Sequence, residues 1–122
     1  MTVKLKRIYE NADRSDGVRI LVDRLWPRGL PKEEAAIDEW MKDIAPSDHL
    51  RSWFDHRPQR WVEFQKRYTR ELSAPDKKKV VENLRRISRI ATVTLLYAAK
   101  DNDRNNAIIL AAFLNRKTGS CR

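Results

Sequence analysis

The sequence predicts a small α/β domain with helices packed on a short, mainly parallel sheet. Three observations carry that prediction. Residues 20–22 within the stretch 19–25, and 95–98 within 92–98, are apolar on successive positions, as in strands covered on both faces. Between and after these runs, apolar residues recur at helical spacing. The resulting order is strand, strand, four helices, strand, helix, which suits one layer of sheet with helices laid on it. A length of 122 residues fits a single domain, 1–122, that buries a core of its own.

Residues 3–9 read as the first strand, with Val3, Leu5 and Ile8 apolar between Lys4, Lys6 and Arg7; the alternation breaks at Ile8, as at an edge or a bend. The connection that follows ends in Asp16-Gly17, a turn signal. It is short enough for a hairpin, and also for one helical turn between parallel strands. The second strand places Ile20 and Val22 on one face and Leu21 and Leu25 on the other. It runs into the charged turn Trp26-Pro27-Arg28-Gly29. Pro31 with Glu33 and Glu34 reads as a helix start, and Ile37, Trp40, Met41 and Ile44 give that helix its apolar stripe. Pro46 breaks it. Ser47 is the expected N-cap of the next helix, whose stripe is Leu50, Trp53 and Phe54. Trp61, Phe64, Tyr68 and Leu72 mark the third helix, and Val80, Leu84, Ile87 and Ala91 the fourth. After the strand at 92–98, the last helix is expected to begin near Arg104-Asn105-Asn106. It turns Ile108, Ile109, Ala112 and Phe113 inward and ends at Arg116-Lys117-Thr118-Gly119, where basic charge and then glycine suit a C-terminus.

Composition narrows the function. Charged residues make up 35% of the chain and no apolar run is long enough to span a bilayer, so no membrane role is expected. The N-terminus lacks the apolar core of a signal peptide, and the only cysteine, Cys121, has no partner in the chain; both fit a reducing cytoplasm. Lys and Arg number 26 against 17 Asp and Glu, a net charge of +9, which favours anionic partners. The basic residues are spread along the chain, with Lys77-Lys78-Lys79 the only run of three, so a solvated surface explains much of the charge.

Both buried strands run into charged loops. One supplies Asp23, Arg24, Trp26 and Arg28; the other supplies Lys100, Asp101 and the start of the last helix, with Asn105 and Asn106. Ligands of open α/β sheets bind outside the carboxyl ends of the strands, so parallel neighbours would bring these loops to one crevice. Arg28 has the geometry to grip a phosphate or carboxylate, and the N–H groups of the last helix favour an anion. Plainer roles compete for each residue. Asp23 with Arg24 or Arg28 can be an ion pair that fixes the loop. Trp26, like Trp40, Trp53 and Trp61, suits the core, Asn105 and Asn106 are good caps, and Lys100 can simply be solvated. There is no glycine-rich phosphate loop, no nucleophile elbow and no metal-ligand spacing. His49 and His56 stand alone, and His56, in a turn, is with Asp23 the candidate acid or base.

The stretch from Asp16 to Gly29, with Val18-Arg19-Ile20-Leu21-Val22-Asp23-Arg24-Leu25-Trp26-Pro27-Arg28 at its centre, resembles the hallmark of the YeaO-like proteins, the short branch of the domain-of-unknown-function family 488. Four further stretches match in order: 40–47, Leu50-Arg51-Ser52-Trp53-Phe54 with His56, Tyr68-Thr69-Arg70-Glu71-Leu72, and 94–101. The resemblance implies a three-layer, Rossmann-like α/β fold and no established activity or cofactor. The motif positions it carries over are Asp23, Arg24, Trp26, Arg28, Lys42, Ser47, Arg51, Lys100, Asp101 and Asn105. One departure stands out: the family usually has Asn-His-Ala where this chain has Asn105-Asn106-Ala107. Asparagine can hydrogen-bond a ligand but cannot shuttle a proton at neutral pH, which shifts weight from catalysis toward binding.

The expected function is binding of an anionic small molecule, a nucleotide or phosphorylated metabolite, at the strand ends, with or without hydrolysis. The alternatives are a basic nucleic-acid-binding or regulatory protein, and a protein-interaction module.

Overall fold

The computed structural model describes residues 3–115. Four strands form one sheet: β1 (Val3–Arg7), β2 (Val18–Leu21), β3 (Glu39–Trp40) and β4 (Val93–Tyr97), in the order β1-β4-β2-β3 with every pairing parallel. The helices are α1 (Lys32–Ala35), α2 (Asp48–Phe54), α3 (Trp61–Leu72), α4 (Lys78–Ile90) and α5 (Asn106–Asn115). The β1–β2 connection holds a single 3-10 turn, Arg14–Asp16, between parallel strands. The α/β reading with a small parallel sheet therefore holds.

Strand parity divides the core in two. Ile20, Val22, Val93, Leu95 and Tyr97 face α2 to α5, where Leu50, Phe54, Phe64, Tyr68, Leu84 and Leu110 cover them. Leu21 and Leu96 face the other way, against Ile8, Ala35 and the half-buried Trp26, Leu30, Ile37 and Trp40. The sheet is thus the middle of three layers: the large helices on one side, α1 with the loop after β2 on the other.

A buried ionic centre closes the amino end of the sheet. The Asp16 carboxylate accepts from the Arg19 guanidinium (2.6 Å), the Lys6 ammonium (3.2 Å) and the Asp13 N–H (3.0 Å). Arg19 also donates to the carbonyls of Ala35 (3.1 Å) and Ala36 (2.8 Å). Burial alone would raise the Asp16 pKa, but the Asp13 N–H, Lys6 and Arg19 outweigh it and hold the carboxyl below its ordinary value. The next residue, Gly17, has φ +64, and a Cβ there would lie 2.2 Å from the Thr92 carbonyl oxygen, so only glycine fits.

Three expectations are corrected. The helix expected through Ile44 stops at Ala35. Ala36 turns left-handed (φ 50), and Glu39–Trp40 adds a strand to the free edge of β2. Asp38 N–H donates to the Arg19 carbonyl and Met41 N–H to that of Leu21, so the sheet edge satisfies backbone groups a helix would have paired internally. The stripe still packs inward, with Met41 and Ile44 buried in the large core and Ile37 and Trp40 half-buried against the small one. Leu25 is 56% exposed, because the ladder ends at Val22 and the chain leaves the sheet. In α5, Ala112 is exposed and Ile108 only half-buried, while Ala107, Leu110, Ala111 and Leu114 join Ile109 inside. That helix is apolar on nearly every side, so spacing alone does not select its buried face. The helix end expected at 116–119 and Cys121 lie outside the described residues.

Candidate functional site at the carboxyl edge of the sheet

Because all four strands are parallel, their carboxyl ends open on one edge. Asp23 is the second residue past β2. Its carboxylate accepts the Ala98 N–H (2.9 Å), just past the end of β4, and its main-chain carbonyl accepts the Trp40 indole N–H (2.7 Å). Asn106, the first residue of α5, donates to the Val22 carbonyl (2.9 Å) and hydrogen-bonds Asp23. Asp23 and Asn106 thus join β2, β4 and α5 at one point. Partial burial raises the Asp23 pKa; the Ala98 N–H, Asn106 and the charge of nearby His56 oppose that rise without cancelling it.

The expected pairing of Asp23 with Arg24 or Arg28 does not form. Arg24 turns away and donates to the carbonyls of Pro46 (3.0 Å) and Ala45 (3.4 Å), with Asp48 at 3.9 Å. Arg28 is exposed, and its guanidinium has no hydrogen-bond or ion-pair partner among the described residues; its carbonyl accepts the Tyr9 hydroxyl (2.9 Å). Trp26 is a packing residue. It donates to the Leu30 carbonyl (2.7 Å) and meets Trp40 edge to face at 5.3 Å, which pins the loop shut.

Lys42, Ser47 and Arg51 do not join this edge chemically. The Lys42 ammonium sits 4.2 Å over the Trp40 ring. Ser47 caps α2 by accepting the Leu50 N–H, and donates to Glu71 at 2.6 Å. Arg51 pairs with Asp48 at 3.4 Å on the surface.

The β4–α5 loop supplies the rest. Asp101 accepts the N–H groups of Asp103 (2.8 Å) and Arg104 (3.1 Å) and the Arg104 guanidinium (3.3 Å). The Asp103 N–H is the main cause of its lowered pKa, with Arg104 adding and slight burial opposing. Asn105 is the N-cap of α5: its oxygen accepts the Ile108 N–H (3.0 Å) and its amide donates to the Asp101 carbonyl (3.0 Å). Lys100 is exposed and, like Arg28, unpaired among the described residues.

His56 follows Asp55, and both adopt left-handed backbone (φ 52 and 48), an unfavourable conformation for residues with a Cβ. This turn brings the exposed His56 to a crevice shared with Phe54, Pro58, Asp101 and Arg104. The crevice holds about 20 Å³, room for little more than one water. The crevice is too small to enclose a metabolite.

Two arginines matter that were not among the expected site residues. Arg7 donates to the carbonyls of Ala98 and Ala99 (both 3.0 Å), securing the end of β4. Its position at the end of the neighbouring parallel strand was the available signal. Arg104 lines the crevice, and its spacing of three from Asp101 fits the pair they form. Among the described residues, no group of three or more His, Cys, Asp or Glu is placed to hold a metal ion, and no helix is long and apolar enough to cross a membrane.

The chain is 42% identical over 114 residues to the uncharacterized protein YeaO of Escherichia coli K12, covering 93% of this chain and 97% of that one. It is also 42% identical over 113 residues to the uncharacterized proteins Rv3073c of Mycobacterium tuberculosis H37Rv and Mb3100c of Mycobacterium bovis, covering 93% of each chain. No solved structure matches it. The family model described as the inactive DUF488-N3 subclade matches residues 2–121, and the chain belongs to that branch of the DUF488 family.

Proposed function

We propose that this protein is a non-catalytic binding domain that holds an anionic group, a phosphoryl or carboxylate of a small metabolite, at the carboxyl edge of its sheet. The observation that carries this reading is a contrast among the cations there. Arg7, Arg24 and Arg104 are tied to carbonyls or carboxylates, while the side chains of Lys100 and Arg28 have no hydrogen-bond or ion-pair partner among the described residues. Cations left unpaired in the loops that follow the strands suit an anion, and Lys100 lies in the loop that leads into the first turn of α5. In this reading Asp23 and Asn106 hold the strand and helix ends in register, and His56 and Arg104 flank the bound group.

Hydrolysis is disfavoured. Asn106 has no proton to move at neutral pH, and the subclade's description as inactive agrees. The cytoplasm, where phosphorylated metabolites are abundant and the single cysteine stays reduced, is the proposed location.

A thermal-shift series with inorganic phosphate, sulfate, a sugar phosphate and a nucleoside monophosphate, at low and moderate salt, tests the proposal. A ligand at 100 times its dissociation constant adds about 2.7 kcal/mol. The expected result is a rise with at least one phosphate, lost in the Arg28→Ala/Lys100→Ala variant and kept when Lys77, Lys78 and Lys79 become alanine. Flat curves with every anion, or equal loss in both variants, would overturn it.

A further inference from the structure

A cluster of outward-facing basic residues lies away from this edge, on α4. Val81, Leu84 and Ser88 are the buried residues of that helix. Lys79, Arg86 and Arg89 lie on the opposite side, seven and three residues apart, and are exposed. With Glu82, Asn83 and Arg85 they line an open, shallow groove along the helix. Arg85 forms the inner wall, fixed by donation to the Phe113 carbonyl (2.9 Å) and stacked on the Phe113 ring. Arg86 is braced by Asn83 at 2.6 Å.

We infer that this face of α4 is a docking surface for the phosphate backbone of a nucleic acid, read without sequence preference. Four cations against one carboxylate, Glu82, give the groove the sign a polyanion needs. Lys79 to Arg89 spans about 15 Å of helix, the axial rise of roughly four base pairs of a duplex. The described residues that line it are all charged or polar. Protein interfaces centre on apolar or aromatic anchors, so a folded acidic protein fits this groove less well than a sugar–phosphate chain. The surface is separate from the carboxyl-edge site and does not depend on it.

Fluorescence anisotropy with a labelled short DNA duplex, across a salt series, tests the inference. Three phosphate contacts predict that the logarithmic salt slope becomes shallower by about 2.7 when Lys79, Arg86 and Arg89 are all changed to alanine, with at least a tenfold loss of affinity at low salt. A variant with Arg14, Lys66 and Arg70 changed to alanine removes the same charge from other exposed positions and should lose less than threefold. No binding at low salt, or equal losses in the two variants, would overturn the inference. So would equal competition by poly-glutamate at matched charge, which would reassign the face to acidic polypeptides.

Discussion

The two ends of the sheet each hold an aspartate next to β4, and they treat the two carboxylates in opposite ways. Asp16, at the amino end, is buried and accepts from two cations and a backbone N–H, so its pKa falls. Asp23, at the carboxyl end, is half-buried, meets one backbone N–H and a neutral amide, and its pKa rises. The amino end spends its cations on the fold. The carboxyl end leaves Arg28 and Lys100 unspent while holding a carboxylate whose charge it partly desolvates. Sites kept for binding are commonly less than optimal for stability.

The largest effect is expected at the amino end. Asp16→Asn leaves Arg19 buried without its counter-charge and should cost about 3–5 kcal/mol, read as a lower denaturation midpoint. Asp23→Asn should act in the opposite direction. The amide keeps an oxygen for the Ala98 N–H and removes the desolvated charge, for a gain of about 0.5–2 kcal/mol at neutral pH. A large loss there would erase the contrast.

The pH dependences should also oppose. Asp16 has a folded pKa below its ordinary 3.8, so its contribution is present above that value and is lost as pH falls through the folded pKa. Asp23 has a folded pKa above 3.8, so its charge penalises the fold above the raised value, and the penalty is relieved as pH falls toward 3.8. The advantage of Asp23→Asn over the wild type should therefore shrink between neutral pH and pH 4, in paired thermal melts.

Smaller effects sharpen the assignment of individual residues. Ser47→Ala removes a cap and should cost about 1 kcal/mol, with the phosphate response unchanged. Lys100→Ala should change stability by less than about 0.5 kcal/mol and yet weaken the phosphate response, as expected of a residue free for a ligand.

Much of the fold was legible because burial leaves a strong pattern. Ile20, Leu21 and Val22 announced a strand covered on both faces, and Trp61, Phe64, Tyr68 and Leu72 announced α3; all but the half-buried Trp61 are buried. The segment at 37–44 departs from the helix its spacing predicts because its four apolar residues satisfy that spacing and also feed two different cores. Only the unpaired edge of β2, a long-range fact, decides between helix and strand there. At the site, the sequence placed charge at the strand ends, which the parallel sheet brings to one edge. It did not reveal that Arg24 folds back onto Pro46 or that Ser47 is held by Glu71. Both depend on how the α2 region packs, which short-range spacing does not encode.

The most direct test of the central claim is an amide NMR titration of the protein with inorganic phosphate. The account predicts shifts clustered at Ala98, Lys100, Asn106 and the Asp55–His56 turn, with residues 13–19 at the opposite end unmoved. Shifts confined to α4, or spread evenly over the basic surface, would contradict it, as would no shift at all.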